Sequence, residues 1–284
     1  MAPSTPQRIK TAYADFSYST PSPRKNNAKR SPKNQTTEST QNLNSSRHAR
    51  TVYLIRHGQS LGQKANKRQR QSDPNLIDCG LSHTGVYQAE HLMPQLLKDT
   101  NIQLLVTSPL TRAVQTTMLA FAQKTLPTLI AYDLREIGSP IPENQPRPLK
   151  EVFKDLDIEN MSNLQWDFTS LAISPETVQS WPKKHDTPPK VVRRDRVRKV
   201  FGWLAQELPS EVREIAVVCH YHVIRNALSD PYDSGGSPRS GDSKQQQYLQ
   251  QISNAQPIEC RLHSDGRLEF VRLLDGDSDE KVSP

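Results

Sequence analysis

From Thr51 to Ile55 the chain runs through apolar and β-branched residues without a polar break, then changes abruptly at Arg56-His57-Gly58. A short continuous apolar run bounded by polar residues reads as a strand buried on both faces. Further along, Ser82 caps an expected helix to Leu92, with Gly85, Val86, Ala89, Leu92 and Met93 on one stripe, and Pro94 should kink or end it. A short strand is expected over Gln103 to Thr107. It leads into Ser108-Pro109, read as an N-cap followed by proline at the first helical position of a helix to about Gln123. Thr128 to Tyr132 reads as a third strand.

The second half has the same alternation with longer interruptions. The segment from Gly138 to Pro189 is rich in proline and only patchily periodic, with one short helix expected near Leu149 to Leu156. From Val191 to Leu208, Val197, Val200, Phe201, Leu204 and Leu208 recur at spacings of three and four, the stripe of an amphipathic helix. Its Arg193, Arg194, Arg196, Arg198 and Lys199 read as a solvated face. Glu214 to Cys219 is expected as a buried strand, followed by a helix from Tyr221 to Leu228. Residues 229–251 read as a loop insertion, rich in Gly, Ser and Pro and then in Gln. A hairpin follows, Pro257 to His263 and Arg267 to Leu273, turning at Ser264-Asp265-Gly266. Strands alternating with helices predict an α/β fold on a mainly parallel sheet covered on both faces.

Composition separates this body from what precedes it. Residues 1–50 hold nine Lys and Arg against Asp15 and Glu38, which accounts for the whole formal net charge of +7 of the 284-residue chain. Residues 1–48 have few aliphatic side chains to offset ordering entropy and read as a disordered basic tail. The tail's clusters at Arg24-Lys25 and Lys29-Arg30 suit nuclear import or contact with nucleic acid or an acidic partner, and equally a solvated tail with no reader. Residues 49–275 form the expected domain, and 276–284 are read as frayed. No segment has the apolar length of a membrane span. Three widely spaced cysteines, Cys79, Cys219 and Cys260, suit reduced thiols in the cytoplasm or nucleus.

In an open parallel sheet, the residues following each strand converge on one rim, where ligands bind. Here those residues are Arg56 and His57 after the first strand and Arg112 after the second. Glu136 follows the third, and His220 the late buried strand. Guanidinium groups fork onto phosphate oxygens, neutral imidazole is a nucleophile toward phosphorus, and a carboxyl is a general acid.

Five segments in this order, LIRHGQS at 54–60, DCGLSHTGVYQAE at 78–90, SPLTRAVQTT at 108–117, LRE at 134–136 and VVCHYHVIRNAL at 217–228, resemble the histidine phosphatase superfamily, also called phosphoglycerate mutase-like. The resemblance implies a three-layer α/β/α sandwich and a phosphoryl-transfer enzyme with neither metal nor cofactor. His57 then looks like the nucleophile that becomes phosphohistidine. Arg56, Arg112 and His220 look like the phosphate clamp, with His220 also catalytic, and Glu136 looks like the proton donor to the leaving alcohol. A carboxyl beside a phosphate dianion is expected to have its pKa raised. The implied substrate is a small phosphorylated metabolite or a phosphoprotein, hydrolysed as a phosphomonoester.

Three departures from the family pattern shape the alternatives. Tyr221 stands where glycine is usual, and is expected to line or obstruct the pocket. Gln63 replaces an asparagine and, with Ser60 and Tyr221, is a candidate for substrate contact. Residues 64–75 lack the mutase pattern, which favours phosphatase over mutase. Gly58-Gln59-Ser60-Leu61-Gly62 also matches a serine-hydrolase elbow, but Lys64 to Pro74 offers no apolar face for the helix that such an elbow needs. A non-catalytic binding or scaffold module built on the same fold is the remaining alternative.

Overall fold

The computed structural model describes residues 49–137, 141–167, 190–228, 249 and 252–275. The readings of a tail over 1–48, of nearly all of the 229–251 insertion and of a frayed end at 276–284 lie outside these residues.

Seven strands form one sheet: β1 (Arg50–Arg56), β2 (Leu104–Thr107), β3 (Pro127–Ile130), β4 (Gln165–Asp167), β5 (Glu214–Cys219), β6 (Pro257–Leu262) and β7 (Leu268–Leu273). Their order is β4-β3-β2-β5-β1-β6-β7. The pairs from β4 through to β1 are parallel, and β6 and β7 complete the sheet antiparallel. Strand alternation sends successive residues to opposite faces. Val52 and Leu54 of β1, with Val217 of β5, join a core cluster with Val197, Val200, Phe201 and Leu204. These last four belong to the helix Lys190–Gln206. Tyr53 and Ile55, with Ala216 and Val218, join Met93, Ala113 and Phe121 on the other side. The result is a three-layer α/β/α arrangement.

Local chemistry moves several boundaries. Arg50, counted above among the basic residues of the N-terminal segment, opens β1 buried; it donates to the carbonyls of Ala205 and Leu208, each at 2.7 Å, closing the end of the long helix. Ser82 caps α3 (His83–Tyr87), its side chain accepting from Gly85 N. The chain then passes through a π-helical turn, Gln88–Leu92, before α4 (Met93–Leu96). Pro94 has no N–H to donate and its ring crowds the preceding turn, so the widened turn absorbs what would otherwise be a break. Leu92, expected on the buried stripe, is 39% exposed. Two further short helices precede α3: α1 (Leu61–Lys64) and α2 (Lys67–Ser72). The latter lies in the segment judged to have no face to bury; it buries no residue and is held by an Asn66–Gln69 capping box. No helix among the described residues is long and apolar enough to cross a membrane.

Candidate active site

Parallel pairing brings three strand ends side by side. Arg56 of β1 registers with Cys219 of β5, and Thr107 of β2 with Val218. The next residues, His57, His220 and Ser108, therefore meet at one rim. The His57 N–H donates to the Cys219 carbonyl at 3.0 Å, and the Ser108 N–H to Val218 at 3.0 Å. Beyond His57 the chain turns against α3 so closely that a Cβ on Gly58 would lie 2.6 Å from the Gly85 carbonyl oxygen. That contact requires glycine at position 58, the third residue of the RHG motif.

His57 is buried, and its ring has a defined polarity. Nδ1 lies 2.7 Å from the Gly58 carbonyl, which can only accept, so Nδ1 carries the proton. Nε2 is left with its lone pair, which accepts from Arg112 Nε at 3.1 Å. Burial first, then the positive charge of Arg112, lowers the His57 pKa well below its ordinary value. His220, fully buried, stands 5.1 Å from His57 between ring centroids and has its pKa lowered by burial, Arg112 and His57. Its Nε2 shares a 2.7 Å hydrogen bond with Ser108 Oγ. Ser108 is thus a partner of the second histidine, not the N-cap expected. The helix α5 (Thr111–Ala120) starts after Leu110, which makes no side-chain cap; Asp78 supplies one from a distant loop, accepting from Thr111 N at 2.9 Å and Thr111 Oγ1 at 2.8 Å.

Arg112 enters the site from the first turn of α5 with 2% of its surface exposed. Besides His57, its guanidinium donates to the Glu143 carbonyl and, at 2.9 Å, to Asn144 Oδ1. Arg56 donates to the Ile252 carbonyl at 2.7 Å and packs over the Tyr221 ring, 5.3 Å from its centroid. Burial lowers the Arg56 pKa, and Glu136 opposes the shift. Among the described residues, Arg56 Nε and His220 Nδ1 are buried without a hydrogen-bond partner.

A cleft of about 500 Å³ opens over this rim. Arg56, His57, Arg112 and Glu136 line it, together with Gln63, Ala65, Lys67, Arg70 and Gln71 and with Ile141, Glu143, Asn144 and His222. Burial would raise the Glu136 carboxyl. His222, whose Nδ1 lies 3.4 Å from Glu136 Oε2, and the Ile137 N–H at 2.8 Å more than offset it, so the pKa falls below the ordinary carboxylate range.

The candidate substrate contacts divide. Gln63 lines the cleft, but its amide is engaged by Ser60 N at 2.9 Å and by Asn254. Ser60 is fully buried: its Oγ caps α1 and donates to Glu143 Oε2 at 3.0 Å, an arrangement with no exposed nucleophile and no histidine base. The serine-hydrolase reading fails on that geometry. Tyr221 is not among the residues lining the described cleft; its ring packs against Arg56, and its hydroxyl donates to the Leu249 carbonyl at 3.3 Å. Sequence reasoning missed His222, Glu143, Asn144 and Asn254, the last of which donates to the His57 carbonyl at 2.7 Å. Among the described residues, no group of three His, Cys, Asp or Glu could hold a metal ion.

The family model "Histidine phosphatase superfamily (branch 1)" matches residues 52–232. The Probable phosphoglycerate mutase GpmB of Yersinia pestis (strain Pestoides F) is 32% identical over 95 residues, 34% of this chain and 41% of that protein; the same protein of Yersinia pseudotuberculosis (serotype O:1b, strain IP 31758) gives the same figures. The chain thus spans about two-fifths of the length of these curated relatives. Among solved structures, the alpha-ribazole phosphatase from Shigella flexneri superposes with TM-score 0.47 at 18% identity, covering 80% of this chain and 96% of its own. A mycobacterial glucosyl-3-phosphoglycerate phosphatase gives TM-score 0.46 at 20% identity over 80% and 99%. With its fold, its RHG strand end and a matched span of well over half the sequence, the chain belongs to the histidine phosphatase superfamily.

Proposed function

We propose that this chain hydrolyses a phosphomonoester, without metal, through a phosphohistidine on His57. The observation that carries the reading is the orientation of His57: Nδ1 is committed to the Gly58 carbonyl, so the lone pair of a neutral imidazole sits on Nε2, beside Arg112.

A phosphate entering the rim would take the Arg56 Nε–H and the two Arg112 N–H groups not spent on His57, Glu143 and Asn144, with buried His220 beside His57. Phosphoryl transfer needs in-line placement and stabilisation of charge on the equatorial oxygens, which these groups supply. Nε2 bonds to phosphorus as the ester P–O bond breaks, and the leaving alkoxide takes a proton from Glu136. The dianion's charge raises the Glu136 pKa against the His222 interaction, so the carboxyl gains its proton as substrate binds. Water then attacks phosphorus, with Glu136 as base, and the P–N bond breaks to return neutral His57 and phosphate.

Tyr221 packs against Arg56 and is not among the residues lining the cleft, which speaks against one of the two motives for a scaffold reading; the other, the basic tail, lies outside the described residues. The test is hydrolysis of an aryl phosphate by the full chain with EDTA present, beside His57→Ala. Activity that survives EDTA and vanishes in the variant supports the proposal; a folded, inactive wild type counts against it.

A further inference from the structure

We propose that Glu143 is a positioning residue that sets the Arg112 guanidinium against His57. Glu143 belongs to a 3-10 turn, Pro142–Asn144, in the segment whose sequence gave the weakest pattern, yet it is only 3% exposed. A buried carboxylate is costly unless its oxygens are satisfied. Here Oε2 accepts from Ser60 Oγ at 3.0 Å, and Oε1 accepts from Arg70 through Nε at 2.8 Å and through Nη2. The surrounding loop is built around this group: a Cβ on Gly62 would lie 2.1 Å from Oε2.

The other side of the same turn faces the site. The Glu143 carbonyl accepts from Arg112 Nη1, and Asn144 Oδ1 from Nη2 at 2.9 Å, while Arg112 Nε donates to His57. Three of the five guanidinium N–H groups are thereby spent, leaving one on each terminal nitrogen for an anion. The turn is also tied from below, where Asp78 N donates to the Pro142 carbonyl at 3.1 Å. One residue therefore joins an ion pair with α2 to the donor that faces the nucleophile. Because α2 buries none of its own residues, the core does not dictate its place, and the Arg70–Glu143 fork is what ties helix and turn together.

The test compares Glu143→Gln in the wild-type and Arg112→Ala backgrounds of the full chain, reading kcat/KM on an aryl phosphate and the 15N shift of His57 Nε2. Displacing a clamp by a fraction of an ångström predicts a fall of up to about 100-fold in the wild-type background. With Arg112 already gone, the same substitution should change activity less than about twofold, because residues acting as a unit are not additive. The Nε2 resonance should move toward that of an acceptor without its donor. Equal losses in both backgrounds, or an unmoved Nε2 resonance, overturn the proposal. Should Glu143→Gln not fold, Arg70→Gln on the exposed helix carries the same comparison. The kinetic arm rests on the phosphatase reading, whereas the resonance does not, so an inactive wild type would count against that reading and leave the positioning claim to the NMR result.

Discussion

Arg112 Nε donates to His57 Nε2 at 3.1 Å, so the guanidinium suited to grip a phosphate also rests on the lone pair suited to attack it. For Nε2 to reach phosphorus, that N–H must transfer to a phosphate oxygen. The free site is thus held together by the same contact that the proposed phosphoryl transfer would exchange.

Arg112→Lys is expected to be nearly as damaging as Arg112→Ala. Lysine keeps the charge but cannot span His57, the Glu143 carbonyl and Asn144 in one plane. Loss of such a preorganised donor costs about 3 to 4 kcal/mol of transition-state stabilisation, or 10²- to 10³-fold in kcat. Steady-state kinetics of both variants on one aryl phosphate check this; near-normal activity in Arg112→Lys would show that charge alone suffices.

Glu136→Gln should discriminate by leaving group. An alkoxide needs the proton and a nitrophenolate does not, so alkyl phosphates should slow by roughly 10² to 10⁴ and activated aryl phosphates far less. A uniform loss across a leaving-group series would assign Glu136 to binding.

His222 holds Glu136 low, against burial, which acts the other way. Removing it in His222→Ala lets the carboxyl pKa rise, so the acid remains protonated to higher pH. The basic limb of the kcat/KM profile should therefore move upward. An unmoved limb would detach His222 from the proton-donor role.

Stability should fall in acid for a reason located at the site. His57 and His220 have folded-state pKa values well below the unfolded value, so below about pH 6.5 the unfolded chain binds protons that the native chain refuses. Their stabilisation is present above that pH and lost as pH falls below it. Asp78 has the opposite sign: burial pushes it up to about 6, so the native state gains protons first and recovers part of the loss between about pH 6 and 4. Urea titrations at pH 7 and 5 should show a net loss of stability at the lower pH. His57→Gln should lose markedly less over the same interval, and no difference from wild type would contradict the assignment.

The readable parts of this chain were those fixed by local pattern. The β5 strand is found where its apolar run ends, and the stripe from Val197 to Leu208 is buried as its spacing required. One rule about strand ends brought Arg56, His57, Arg112 and Glu136 to a common cleft, with His220 buried 5.1 Å from His57 between ring centroids rather than on the cleft lining. What could not be read depends on partners distant in sequence. Ser108 has the composition of a cap, yet it is drawn to His220 across 112 positions, and the cap comes from Asp78. Strand β4, only three residues long, depends on pairing with β3 rather than on its own periodicity. Glu143 and Asn144 come from a proline-rich stretch without pattern, and nothing in their spacing points to Arg112.

The central claim is a covalent one, and trapping the intermediate tests it most directly. The full chain is mixed with an aryl phosphate, quenched in base within the first turnover, and digested for mass spectrometry under alkaline conditions. The account predicts a burst of aryl alcohol matching the enzyme concentration, with a phosphoryl group on His57 that is lost in acid. Steady turnover with His57 unmodified, or phosphate found on another residue, would contradict it.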